Sequence, residues 1–215
     1  MKIQAAEFVT SVGLQGRLPV SHLPQVVLVG RSNVGKSTLI NALARRKIAR
    51  AGGAPGTTRL LNVYRLSLAK AHGELLLMDL PGYGYARGGS SNSGFDRLTA
   101  RYFEPDPGET PDRPGNVGPS GAVLLVDARH PGLANDREAF TWLQEMELPL
   151  IVAATKIDRL TRNARTKNLR AHQTALGHTV LPVSAKLGDG LPTFWAALLA
   201  MAEGSLSATM GSSVR

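Results

Sequence analysis

The stretch GRSNVGKS, Gly30 to Ser37, follows the apolar run QVVLV and opens a run of helix length. It limits the possible folds more than any other feature of the chain. The spacing GxxxxGK[ST] is meaningful where a strand ends, a loop curls and a helix begins around one shared anion. Gly30 and Gly35 let the backbone turn so that successive N–H groups face inward, and the helix start adds positive potential. The motif predicts a phosphate cradle made of Gly30, Arg31, Ser32, Asn33, Val34, Gly35, Lys36, Ser37 and Thr38. Lys36 is placed to reach the β and γ phosphates, and the Ser37 hydroxyl to meet Mg²⁺.

The remaining pattern supplies a sheet for that loop. Apolar strand-length runs at Val26–Val29, Leu61–Leu68, Glu74–Asp79, Ala122–Asp127, Leu150–Thr155 and Thr179–Val183 alternate with helix-length segments. The helices are expected at Lys36–Arg45, Phe95–Phe103, Asn135–Met146, Arg162–Leu176 and Leu191–Met201. Alternation of this kind predicts a three-layer α/β fold, a six-stranded, mostly parallel sheet with helices on both faces. Leu61–Leu68 and Glu74–Asp79 are separated by hairpin length, which predicts one antiparallel edge strand. A chain of 215 residues fits one core, expected over residues 1–203. Glu104–Gly121 is too rich in Pro and Gly for helix or strand and reads as a surface insertion, and residues 204–215 as a disordered tail.

Composition excludes several functions. With no cysteine there is neither disulfide nor thiolate chemistry. The apolar runs fall short of the roughly 20 residues a membrane span needs, and the N-terminus lacks a signal-type apolar region. A cytoplasmic monomer with no membrane association is expected. The 25 Lys and Arg against 16 Asp and Glu favour a polyanionic partner. Lys156, Arg159, Arg162, Arg165, Lys167 and Arg170 face only Asp158 within their stretch, and Arg45, Arg46, Lys47 and Arg50 form a second cluster. Both suit phosphate contacts on RNA, without the aromatic interleaving of a base-stacking platform.

Purine choice points to TKID, Thr155–Asp158, at another strand end. In an open α/β sheet that end lies beside the cradle. A carboxylate there can accept from N1–H and the 2-amino group of guanine, a donor pair that adenine lacks, while the Lys156 stem covers the ring. Ser184-Ala185-Lys186 at the next strand end offers the Ala185 amide to guanine O6.

The ordered set GRSNVGKS, PGTT, DLPGYGYA, TKID and SAK resembles a translation-factor-class GTPase. PGTTRLLN (Pro55–Asn62), DLPGYGYA (Asp79–Ala86) and VDARHPG (Val126–Gly132) resemble more closely the EngB (YihA/YsxC) family of ribosome-biogenesis GTP-binding proteins. The resemblance runs from about Phe8 to Leu199. It implies a cytoplasmic GTPase that binds GTP and GDP with Mg²⁺, assists assembly of the large ribosomal subunit through rRNA, and serves normal cell division and septation.

Residue by residue, the resemblance puts Gly56, Thr57 and Thr58 in a loop over the γ-phosphate, with Thr58 joining Ser37 on Mg²⁺. Thr57 stands where the family often has a basic residue. Asp79 holds Mg²⁺ through water, and Gly82, which has no Cβ in the way, brings its N–H to the γ-phosphate. Tyr83 occupies the place where some GTPases carry a water-orienting glutamine, so slow intrinsic hydrolysis is expected. Asn33, in the GxxN pattern of related GTPases, implies K⁺ near the β and γ phosphates. The catalytic set implied is thus Lys36, Thr58, Gly82 and Asn33. His130 is expected to brace its loop with Asp127 and Arg129, and Phe140 and Trp142 to belong to the core. Three function classes remain open on sequence: a ribosome-docking GTPase switch, a P-loop kinase or ATPase, and a GTP-sensing RNA-binding scaffold with negligible hydrolysis.

Overall fold

The computed structural model describes residues 3–13, 15–16, 21–50, 60–69, 73–83, 99, 102–103 and 118–212, the last eight of these by backbone alone. At its centre Val26, Val27, Leu28 and Val29 have no exposed surface. Their strand, β2 (Gln25–Gly30), is covered on both faces, which explains why it reads as a continuous apolar run. The other strands are β1 (Ile3–Val12), β3 (Leu61–Leu68), β4 (Glu74–Asp79), β5 (Pro119–Asp127), β6 (Leu150–Thr155) and β7 (Val180–Pro182). They form one sheet in the order β1-β3-β4-β2-β5-β6-β7. The pairs β4·β2, β2·β5, β5·β6 and β6·β7 are parallel, and β3 runs antiparallel to both of its neighbours. The α/β fold, mostly parallel with helices on both faces, is as expected.

Two layers of helix cover the sheet. Val26 and Leu28 point to one side, into a cluster with Leu39, Ile40 and Leu43 of α1 (Lys36–Ala44) and Phe194 and Leu198 of α4 (Leu191–Ser212). Val27 and Val29 point to the other, toward Phe140 and Leu143 of α2 (Ala134–Glu145) and Leu176 of α3 (Arg162–Leu176). Each fully buried Val or Leu contributes about 1.5–3 kcal/mol relative to exposure. These layers hold the sheet rigid, so the loops at the strands' carboxyl ends have a fixed base. Phe140 is buried and Trp142 packs edge-on against Phe103 at 5.1 Å, the core role expected for this pair.

Three details differ from the sequence expectation. The sheet has seven strands instead of six, because β1 pairs with β3 and takes the edge position expected for β3. Register shifts between Ile3 and Ala5 and between Phe8 and Thr10 break the two-residue alternation, leaving only Ala6 and Val12 buried, so the segment lacks a strand's period. Second, β5 begins at Pro119, inside the expected insertion. Gly121 lies in this strand, paired with Val26, at a point where a Cβ would meet the Met201 side chain and lie 2.7 Å from the Pro149 carbonyl oxygen. Third, α4 stays helical to Ser212, past Gly204, where a disordered tail was expected; its one proline, Pro192, lies in the first turn, where a missing amide hydrogen is tolerated. Residues 104–117 of the insertion, and all of the expected Phe95–Phe103 helix except 99, 102 and 103, lie outside the described residues. Among the described residues no helix is long and apolar enough to cross a membrane.

Candidate nucleotide site

The carboxyl ends of β4, β2, β5 and β6 lie side by side, and the sequence motifs follow directly from them. The P-loop leaves β2 at Gly30, where a Cβ would lie 2.8 Å from Val34 Cγ1 and 2.9 Å from the Leu125 carbonyl oxygen. Only glycine fits that approach. The loop then turns through Asn33 (φ 63°) and Gly35 (φ 114°), the left-handed positions that aim successive amides inward. Gly35 caps α1 without a side-chain hydrogen bond, so the first amides of α1 are left for an anion. The Val34 amide donates to Arg31 O at 3.1 Å.

Lys36 donates from Nζ to Gly30 O at 3.2 Å, arching back over the loop it follows. Burial pushes its ammonium pKa down, opposed by the charge of Asp79. Asp79 ends β4 and is 3% exposed, and its Oδ1 has no hydrogen-bond partner. Burial raises its carboxyl to about 6, with the Lys36 charge and an Asn62 hydrogen bond pulling the other way. An orphaned buried carboxylate oxygen that feels the Lys36 charge fits the Mg²⁺ that sequence reasoning placed here. Among the described residues no group of three or more His, Cys, Asp or Glu could hold a metal ion. Mg²⁺ takes one or two protein oxygens and completes its shell with phosphate and water. Ser37 and Asp79 are the described residues that would hold it; Gly56, Thr57 and Thr58 lie outside the described residues.

The base-reading side is bolted to the cradle. Thr155 Oγ1 donates to Val34 O at 2.6 Å and lies 3.1 Å from Val126 O. Lys156, in the left-handed region at φ 61°, donates from Nζ to Asn33 O and to Asp127 Oδ2, the latter at 2.9 Å. Ser184 is fully buried and donates to Asp158 Oδ1 at 2.7 Å, orienting that carboxylate. The turn after Ser184 closes through Leu187 N to Ser184 Oγ at 3.1 Å and Gly188 N to Ser184 O at 2.8 Å. Ala185 lies in that turn, half-buried beside Ser184, while the Thr38 and Asn33 side chains are exposed.

Two acidic residues complete the frame. Asp127 accepts from Arg129 Nε at 2.9 Å, Arg129 Nη2 at 2.7 Å, the Arg129 amide at 3.1 Å and Lys156. Burial would raise this carboxyl, but the donors from Arg129 and Lys156 outweigh it and hold the group well below the usual range. The loop that His130 was expected to brace closes through its amide, which donates to Asp127 O at 3.0 Å, and the residue is exposed. Asp136 was not singled out by sequence reasoning. It lies 2% exposed in the first turn of α2 and accepts from Arg31 Nε at 3.0 Å and from Tyr83 Oη at 2.9 Å. Its two partners are 105 and 53 residues away, so no local signal marks it.

A phosphate cradle and a purine-reading loop joined at carboxyl strand ends of this sheet define a P-loop GTPase. The sequence profile of a family described as 50S ribosome-binding GTPase matches residues 25–156. A probable GTP-binding protein EngB of Pelotomaculum thermopropionicum is 39% identical over 83% of this chain and 84% of its own. One from Desulforamulus reducens is 37% identical over 88% and 89% of the two chains. A crystal structure of a probable GTP-binding protein engB superposes with TM-score 0.58 at 24% identity, covering 84% of this chain and 99% of that one. The chain belongs to the EngB family of GTP-binding proteins.

Proposed function

We propose that the chain hydrolyses GTP to GDP and phosphate with Mg²⁺, and that it acts in the cytoplasm as a nucleotide-controlled assembly factor for the large ribosomal subunit, needed for normal division and septation. The observation that carries the partner is the exposed face of α3. From Arg159 to Leu187 the sequence holds no acidic residue. Arg159, Arg162, Lys167 and Arg170 are exposed there and form no ion pair among the described residues. At 1.5 Å per residue the exposed cations from Arg162 to Arg170 run along about 12 Å of this helix, with Arg159 in the turn before it. It suits an RNA backbone better than an acidic protein, since Asn163, Thr166 and Gln173 add polar groups to it.

At the reacting end, Lys36 and the loop amides neutralise charge on the phosphates, and Gly82 offers its N–H to the γ-phosphate. Mg²⁺, which Ser37 and Asp79 would hold, would supply further positive charge to the transferring phosphate. Tyr83 does not replace the water-orienting glutamine, because its hydroxyl is spent on Asp136. Intrinsic turnover is therefore slow, with Asn33 as the candidate for recruiting K⁺. The same hydroxyl contact favours a second reading, a GTP-sensing rRNA-binding scaffold with negligible hydrolysis.

Cosedimentation with large subunits in GDP and in a non-hydrolysable GTP analogue tests the switch. Binding is expected in the analogue and weak in GDP; equal binding in both contradicts it. The triple variant Arg162→Gln, Lys167→Gln, Arg170→Gln is expected to bind GDP normally while its log K against log salt slope for RNA flattens by about 2–3, roughly 0.7–0.9 per lost phosphate contact. An unchanged slope places the RNA contact elsewhere. Single-turnover hydrolysis is expected to rise with subunits and to be faster in K⁺ than in Na⁺; rates equal in both ions remove the Asn33 proposal, and no hydrolysis in any condition leaves the scaffold.

A further inference from the structure

Asp136 Oδ1 accepts from two separate segments: Arg31 of the P-loop at 3.0 Å and Tyr83, the residue after Gly82, at 2.9 Å. The main chain repeats this tie. Arg31 and Tyr83 form a parallel β-bridge, and the Ser32 amide donates to Tyr83 O at 3.3 Å. Gly82 packs so closely on the loop that a Cβ would lie 2.7 Å from Ser32 N and 2.9 Å from Ser32 Oγ. The Tyr83 ring is 8% exposed. Lifting the Gly82–Tyr83 segment from the P-loop therefore breaks a hydrogen bond to a buried carboxylate and uncovers an aromatic ring.

This cost falls unequally on the two nucleotides. The β-phosphate is served by the amides that end the P-loop and by Lys36, none of which involves Gly82. On that reading a γ-phosphate would extend past them toward Asp79 and Gly82, where the Ser32 N–H is already occupied by Tyr83 O. A third phosphate would have to displace that contact before it could take the Gly82 N–H, and a diphosphate would not. We propose that Asp136 is a positioning residue that holds the Gly82–Tyr83 segment closed on the P-loop and so sets the preference of this site for GDP over GTP. A ligand shifts such an equilibrium only by its differential affinity for the two states, and GDP has none for the opened one.

The inference rests on the guanine-nucleotide reading of the site. Its test is equilibrium titration of the full chain with fluorescent GDP and a fluorescent non-hydrolysable GTP analogue in Mg²⁺. Tyr83→Phe removes only the hydroxyl. It is expected to leave GDP affinity within about twofold and to tighten the GTP analogue about fivefold, the scale of one hydrogen bond's net contribution. Asp136→Ala is expected to shift the ratio further, about tenfold. An unchanged or reversed ratio in Tyr83→Phe, with GDP binding intact, overturns the proposal. Parallel losses for both nucleotides mean a merely structural contact and overturn it too. Should Asp136→Ala fail to fold, Tyr83→Phe decides alone. A wild-type chain that binds neither nucleotide fails the nucleotide reading instead, and this inference with it.

Discussion

Asp158→Asn is expected to weaken GDP binding by roughly 10²–10³-fold and to let xanthosine diphosphate bind in its place. The carboxylate is placed to accept two guanine donors, and hydrogen bonds to a charged group contribute about 1.5–3 kcal/mol each, so losing two at the lower end of that range costs about 3–4 kcal/mol. Asparagine keeps the size and can still accept from Ser184, which lies 2.7 Å from Asp158 Oδ1, so the loop keeps its shape. Its amide donor instead faces guanine's donors, whereas xanthine presents an oxygen at that edge. Competition of GDP and xanthosine diphosphate against a fluorescent nucleotide reads both effects. Equal GDP affinity in the variant means that Asp158 only closes the turn with Ser184.

Asp79→Asn is expected to stabilise the nucleotide-free protein while damaging its response to Mg²⁺. Burial raises Asp79 from 3.8 to about 6. Between those values the folded chain keeps a proton that the unfolded chain has released, so stability falls as pH rises from about 4 to about 6 and stays reduced above that. The shift corresponds to about 2–3 kcal/mol at neutral pH. Asparagine carries no charge to bury, so its unfolding free energy at pH 7.5 is expected to exceed the wild type's by about 1–3 kcal/mol, and the loss between pH 4 and 6 to flatten. The orphaned Oδ1 is the second half of the argument. If it is kept for Mg²⁺, affinity for the GTP analogue in the variant falls roughly 10-fold or more and no longer responds to chelation of the metal. A variant that is less stable than wild type across this pH range, or that still responds fully to Mg²⁺, contradicts the assignment.

The contrast between these two residues and Asp136 shows what a sequence can disclose here. Gly30 to Ser37 is legible because strand, loop and helix start are contiguous, and the glycines are forced by backbone contacts only a few residues or one strand away. Asp158 and Ser184 are legible because each stands at the end of an apolar run, and the carboxyl ends of parallel strands converge. The 2.6 Å bond from Thr155 to Val34 O, which locks the two motifs together, needs that convergence but has no signature of its own. Asp136 sits on an otherwise ordinary amphipathic helix, and only the packing of α2 against the switch segment gives it partners. The edge strand β1 was hidden for a different reason. Its bulges shift the register twice and one flank faces solvent, so Phe8 and Val9 stand exposed next to each other. The helical end of α4 contains Gly204 and small polar residues, which local propensity assigns to coil.

The account stands on one physical claim, that main-chain amides starting at residue 30 and the Asp158 carboxylate together hold a guanine nucleotide. Isothermal titration of the pure folded chain in Mg²⁺ with GDP, GTP and ATP measures it directly. One guanine nucleotide bound per chain, with no measurable heat from ATP, is the predicted result. Absence of binding by both GDP and GTP, or ATP binding as tightly as they do, contradicts it.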